Sequence, residues 1–175
     1  MDWYQTIFEV IDMRSFSNLW FWIALAVVWS SASHWVLGVP YDMVLRARRQ
    51  GEQAQVDLED MVRINVNRIL YIAQVSGIWI LGFSCFFLTM LVILAVFYGF
   101  QFAQAVLLLA APISIITVLR LSTAQQIHEE SATGGLLYKL LTRHRIYTQI
   151  IGMVSIFITS MWGMYQNLYV GPFGG

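Results

Sequence analysis

The chain has 175 residues, of which 58% are hydrophobic and 11% are charged, and its ten basic side chains balance ten acidic ones at a net charge of zero. This composition excludes an ordinary soluble domain, in which about a quarter of the residues are charged, and indicates an all-α membrane protein. The sequence has no basic excess for binding a phosphate backbone and no glycine-rich phosphate loop. We therefore expect neither a nucleic acid nor a nucleotide as a partner.

The first 14 residues, MDWYQTIFEVIDMR, contain three acidic side chains and one arginine, unlike the positively charged start of a secretory signal peptide. Trp3, Ile7, Val10 and Ile11 recur at helical spacing between these acidic residues. The pattern predicts an amphipathic helix over residues 1–14 that lies at the membrane interface. A frayed N-terminal tail is the alternative.

Four apolar segments are long enough to cross the hydrocarbon core of a membrane, which is about 30 Å thick, as helices rising about 1.5 Å per residue. Pro40 ends the first segment, and a very short turn near residues 98–101 joins the second to the third. The sequence predicts an integral membrane four-helix bundle that forms a single domain over residues 1–175. The predicted transmembrane helices are residues 19–39, 78–100, 102–119 and 150–170.

The basic residues are distributed unevenly between the connections that join these spans. Nine of the ten lie in residues 40–77 and 120–149, and Arg14 alone lies on the opposite side. The positive-inside rule therefore places both connections in the cytoplasm and both termini on the outer side.

The two cytoplasmic segments are expected to contain helical extensions of the spans. Residues 56–100 contain no proline and keep apolar residues at helical spacing, so the second helix begins well before the membrane, either straight or bent near Gly77 and Gly82. Apolar residues at helical spacing on both sides of the SATGG sequence predict a helical hairpin within residues 120–149. Residues 46–52 are expected to form a flexible loop.

A polar cluster interrupts the first span. Side chains of this kind normally face neighbouring helices, so we expect a structural hydrogen-bonded cluster, with ligand binding or serine-histidine catalysis as alternatives. His128 and His144 are offset by about 9 Å along the predicted hairpin, which favours solvated histidines over a shared metal ion. The cluster consists of Ser30, Ser31, Ser33 and His34.

Cys85, the single cysteine, is expected to be a small buried side chain because its neighbours are apolar. Tryptophan rings suit lipid headgroups or protein contacts, and cytoplasmic arginines add charge to such a contact. The candidate interaction surface therefore comprises Trp3, Trp20, Trp22, Arg46, Arg48 and Arg49.

The predicted spans contain no Asp, Glu, Lys or Arg, which disfavours an ion-coupled carrier, and the sequence lacks the common catalytic motifs. We expect no catalytic, cofactor-binding or metal-binding residues. The expected function is a non-catalytic accessory or scaffold subunit of a larger membrane complex, with membrane lipid and other protein subunits as partners. A small homo-oligomeric channel or transporter subunit is the alternative. A haem or quinone protein is a third class, for which His34 is the only histidine within a predicted span.

At MDWYQTIFEVIDMRSFSNLW, continuing through SHWVLGVPYDMVLRARR, the sequence resembles a bacterial family of small membrane proteins labelled as a component of the Suf iron-sulfur assembly complex. The resemblance covers most of the chain. It implies a multi-pass protein of the bacterial inner membrane, whose outer side is the periplasm, and it carries over no functional residue.

Overall fold

The computed structural model describes residue 16 and residues 19–169, and this part of the chain is all-α apart from one short hairpin. The predicted interfacial helix over residues 1–14, and with it Trp3, lies outside the described residues. The hairpin consists of β1 (Trp35–Val36) and β2 (Val39–Pro40), paired antiparallel. The helices in the described part are α1 (Leu19–His34), α2 (Tyr41–Gln50), α3 (Glu52–Val96), α4 (Gln101–Glu129) and α5 (Gly134–Tyr169).

Three of these helices, α3, α4 and α5, are long and apolar enough to cross a membrane. The most apolar stretches of α3 and α4 are each only 11% buried within the protein, and that of α5 is 28% buried. Ile78 and Phe97 of α3, for example, are 88% and 80% exposed. A continuous apolar surface of this size is suited to contact with lipid chains rather than water. We call this part, formed by residues 78–119 and 150–168, the membrane section; α1 is a shorter apolar helix that packs against it.

The long helices continue beyond the membrane section at one end. With 45 residues, α3 is about 67 Å long, roughly twice the hydrocarbon thickness. It passes through Gly77 and Gly82 without interruption and begins at Glu52, so the predicted helical extension ahead of the apolar segment at residue 78 is present. The predicted helical hairpin at SATGG is also confirmed, since α4 ends at Glu129 and α5 begins at Gly134.

These extensions pack with α2 and the β-hairpin into a head, which we define as residues 35–76 and 120–149. The head has its own hydrophobic core, to which α2 contributes Tyr41, Val44 and Ala47 at helical spacing. This buried face explains why residues 46–50 are helical, so the prediction of a flexible loop there is wrong. Helix α2 ends at Gln50, and Gly51 caps it with a φ of +60°. The most completely buried core side chains include Val36, Leu37, Val39, Val44, Leu58, Leu137 and Leu141.

The first predicted span is shorter than expected, because α1 ends at His34 rather than at Val39. Leu37 and Gly38 have φ values of +53° and +81°, as a tight hairpin turn requires. This turn places Val36, Leu37 and Val39 in the core of the head, so their apolar character serves protein packing. Pro40 accordingly precedes α2 as its N-cap instead of following α1 directly.

Gln104 connects three helices near the opposite end of the membrane section. Its side-chain oxygen accepts hydrogen bonds from Trp162 Nε1 at 3.0 Å and from Gln166 Nε2 at 2.8 Å. Its side-chain nitrogen donates to the carbonyl oxygen of Ala95 at 3.1 Å. An amide in apolar surroundings is stabilised when its polar atoms find partners within the protein, as they do here.

Helix α1 contacts α5 at positions where aromatic rings pack against glycines of α5. A Cβ atom at Gly152 would lie 2.7 Å from the Trp29 ring, and one at Gly163 would lie 3.2 Å from Trp22 and 3.4 Å from Phe16. Small residues allow the backbones of membrane helices to approach closely. The buried face of α5 along this side includes Thr148, Gly152, Ser155, Thr159 and Gly163.

Gly152→Ala is expected to destabilise the protein by about 1–3 kcal/mol, because the added methyl group overpacks the Trp29 contact. The measurement is the apparent melting temperature in detergent, followed by tryptophan fluorescence. Gly82→Ala is the matched control, since a Cβ there meets nothing within 4 Å and alanine favours the helix. Equal melting temperatures for the two variants would contradict close α1–α5 packing.

Candidate functional site: the junction between head and membrane section

A buried histidine lies where α4 and α5 leave the membrane section. His144 is 4% exposed, and its Nδ1 lies 3.1 Å from the hydroxyl oxygen of Thr123. That hydroxyl donates its only hydrogen to the carbonyl oxygen of Leu119 at 2.8 Å, so we assign Nδ1 as the donor to Thr123. Burial and the nearby positive charge of Arg120 lower the pKa of His144 to about 4. His144 is therefore neutral at physiological pH.

Arg120 lies at the membrane end of the head without a carboxylate partner among the described residues. Partial burial and the positive charge of Arg68 lower the pKa of its guanidinium. The Arg120 side chain reaches the hairpin, where a Cβ added at Gly38 would lie 3.4 Å from Arg120 Nη2. The positive φ and the close approach of Asn65 Oδ1, 3.1 Å from the same point, both favour glycine at position 38.

Tyr41 joins α2 to α5 by interactions with hydroxyl and guanidinium groups. Its hydroxyl lies 3.3 Å from the Thr142 hydroxyl, and the Arg145 guanidinium stacks 3.8 Å above its ring. The Thr142 hydrogen bond and the charges of Arg145 and Arg48 lower the pKa of Tyr41, against the opposing effect of burial. A cation stacked on an aromatic ring is stabilised without a carboxylate.

A shallow pocket of about 780 Å³ opens beside this contact, between α2 and α5. Arg48 donates from Nη2 to the Thr142 hydroxyl at 2.8 Å and to the carbonyl oxygen of Tyr138 at 3.2 Å. We call this cavity the basic pocket, because its lining includes three cationic side chains and no acidic one. Its lining consists of Arg48, Gly135, Tyr138, Lys139, Thr142, Arg143, Ile146 and Tyr147.

The charges of the head are separated along the membrane normal. Helix α5 contains no acidic residue, while α4 has Arg120 near the membrane and Glu129 at its far end. On α3 the acidic residues up to Asp60 precede Arg68, which lies closer to the membrane section. Within the described part, Arg63 with Asp60 is the only ion pair, at 2.8 Å. Arg68 and Arg120, next to the membrane section, therefore form no ion pair with a carboxylate among the described residues.

The polar cluster predicted in the first span lies at the end of α1. Ser30, Ser31 and His34 are exposed, and Ser33 bonds only within its own helix, to the carbonyl oxygens of Trp29 at 2.8 Å and Ser30 at 3.1 Å. The structure therefore does not gather these four side chains into a buried site.

The residues of the predicted interaction surface are spread over two ends of the described structure. Trp20 is exposed at the start of α1, and Trp22 packs against α5 near Gly163. Arg46 and Arg49 are exposed on α2. Arg48, which is also exposed, belongs to the basic pocket.

Two of the predicted environments are wrong. His144 was expected to be solvated and is buried, because it lies on the face of α5 that packs against α4. Cys85 was expected to be buried and is exposed on the outside of α3, where no described helix covers it. His128 is exposed, as predicted.

Sequence patterns predict no role for Thr123, Gln104 or Lys139. Lys139 and Arg143 are four residues apart and therefore share one side of α5, which could have indicated a basic helix face. The contribution of Arg48 from α2 depends on how the helices pack, which no local pattern reveals. Among the described residues, no three His, Cys, Asp or Glu side chains are grouped as metal ligands.

In comparisons with known proteins, no family model, curated protein or solved structure matches this chain.

The buried His144 predicts a specific pH dependence of stability. As pH falls from 6.5 towards 4, the unfolded histidine gains a proton that the folded one does not, so this group's contribution to stability is lost over that window, on the order of 3 kcal/mol. The measurement compares melting in detergent at pH 7.5 and pH 4.5. His144→Gln should show a smaller acid-induced decrease than the unsubstituted protein, whereas His128→Gln should not. A decrease of the same size in His144→Gln would contradict the assignment.

Proposed function

We propose that the protein is a four-span component of the bacterial inner membrane that acts as a non-catalytic accessory or scaffold subunit of a larger complex. In this proposal α1 is the fourth span, the head lies in the cytoplasm, and both termini lie in the periplasm. The bacterial setting rests on the sequence resemblance, and the orientation rests on the positive-inside rule.

The positions of the two basic connections support this topology. They belong to one packed head, in which Glu59 of α3 accepts a hydrogen bond from the backbone nitrogen of Gly134 at 2.8 Å. Both connections therefore lie at the same end of the long helices. Helix α1 has 16 residues and is about 24 Å long. Trp20 near its start and Trp35, which directly follows it, suit the two interfaces of a slightly thinned bilayer.

The observation that carries the scaffold proposal is helix continuity. Helices α3, α4 and α5 each pass from the membrane section into the head without a break, and the head holds their ends together with a hydrophobic core. The head surface is thereby rigidly coupled to the membrane helices, which is what a subunit that positions other subunits requires. On that surface α2 exposes Arg46 and Arg49, opposite its buried face.

The topology can be tested by cysteine labelling in a Cys85→Ala background with a membrane-impermeant maleimide. Tyr98→Cys, at the exposed turn between α3 and α4, should react in intact spheroplasts. Gly135→Cys and Arg46→Cys should react only after permeabilisation, since both lie on the head. Labelling of positions 46 and 135 from opposite sides of the membrane would exclude the four-span arrangement.

The scaffold proposal predicts stoichiometric recovery of an unlike chain after cross-linking in native membranes, identified by mass spectrometry. Neutralising the exposed face of α2 with Arg46→Gln and Arg49→Gln should reduce that recovery, because an acidic partner loses its counter-charges. Arg63→Gln, which changes an exposed arginine on α3, is the matched control and should leave recovery unchanged. Recovery of a pure homo-oligomer would instead favour the channel or transporter alternative.

A further inference from the structure

We propose that the basic pocket binds an anionic phospholipid of the adjacent leaflet, with the lipid phosphate against Arg48, Lys139 and Arg143. The proposal depends on the protein being embedded in a membrane. It does not depend on the scaffold role. It names the ligand that the positive charge of the basic pocket would bind.

The three cations retain hydrogen-bond donors for an anion. Lys139 is exposed and forms no ion pair within the described residues, so its ammonium group is available. Arg48 is held by bonds from Nη2 and by the Tyr138 ring, 5.5 Å from its guanidinium carbon, which leaves Nε and Nη1 for a ligand. Arg143 donates from Nη2 to Gln126 Oε1 and likewise retains further donors. Guanidinium groups positioned in this way suit the oxygens of a phosphate.

The pocket also has an apolar end that faces the membrane. Ile146 and Tyr147 are 47% and 46% exposed and lie within about 6 Å, along the helix axis, of residue 150, where the predicted span begins. Arg143 and Lys139 follow about one and two turns farther from the membrane. A phospholipid has the same order of groups, with its phosphate outside its glycerol and acyl chains.

This order of apolar and cationic groups along the pocket distinguishes a lipid from other anions. A free phosphate would use the cations but not the apolar end, and an acidic protein segment would not require an opening towards the hydrocarbon. Juxtamembrane lysine and arginine side chains attract anionic lipids, and the attraction falls off within a Debye length, about 8 Å at physiological salt. Arg143 lies about 10 Å along the helix axis from residue 150, which is little more than one such length from the predicted start of the span.

The test measures lipid retained by the purified full-length protein, using native mass spectrometry from mixed micelles of phosphatidylglycerol and phosphatidylcholine. The unsubstituted protein should retain phosphatidylglycerol in preference to phosphatidylcholine. Lys139→Gln with Arg143→Gln should weaken that retention by about a hundredfold, since each of the two lost charge-assisted bonds is worth roughly a factor of ten. Lys139→Arg should preserve the preference, and Arg63→Gln, which removes one positive charge outside the pocket, should leave the preference unchanged. Both altered side chains are exposed, so the fold should tolerate their replacement.

Ile146→Asn separates a lipid site from a free-phosphate site. It should reduce the retention of phosphatidylglycerol and leave the binding of inorganic phosphate unchanged. Equal retention of the two lipids, or undiminished retention in the Lys139→Gln, Arg143→Gln variant, would overturn the proposal. So would displacement by millimolar phosphate combined with no effect of Ile146→Asn, which would indicate a free-anion site. These readouts use the isolated protein, so they are independent of whether any partner subunit is recovered.

Discussion

The fold depends on one constraint: the same three helices must be solvated by lipid along one part of their length and by water along the rest. In lipid, backbone polar groups need partners within the chain, which continuous helices provide. Beyond the lipid, those helices need a shared hydrophobic core, and α2 with the β-hairpin completes it. The two parts accordingly pack differently. Leucine and valine fill the head, whereas in the membrane section α1 meets α5 at Gly152 and Gly163.

The long apolar runs, the short turn near residue 98 and the hairpin at SATGG could all be predicted, because length, periodicity and glycine placement are local properties of the sequence. The end of α1 could not. Residues 35–39 are apolar whether they lie in lipid or in the core of a protein, so hydropathy does not distinguish a longer span from the buried hairpin around Leu37 and Gly38. The formation of α2 depended in the same way on a core that only the assembled helices create.

The burial of individual side chains, such as those of His144 and Cys85, is equally difficult to predict from hydropathy. Hydropathy separates residues that suit lipid from residues that suit water, but it does not report which side of a helix faces another helix. Cys85 is therefore exposed although its neighbours in the sequence are apolar, and His144 is buried against Thr123 although its side chain is polar. The basic pocket could be predicted only in part, since Lys139 and Arg143 share a helix but Arg48 comes from another one. Its geometry follows from packing across about 90 positions of sequence.

Because the long helices are unbroken, a change in their tilt within the membrane section also moves the head. If α3 pivoted near Val96, a change in tilt of only about 5° would move its other end sideways by about 6 Å, because the helix is about 67 Å long. Since α4 and α5 are joined to that end of α3 through the same core, the whole head would move with it. Changes in bilayer thickness, which helices accommodate by tilting, would thus be converted into displacement of the surface that α2 presents.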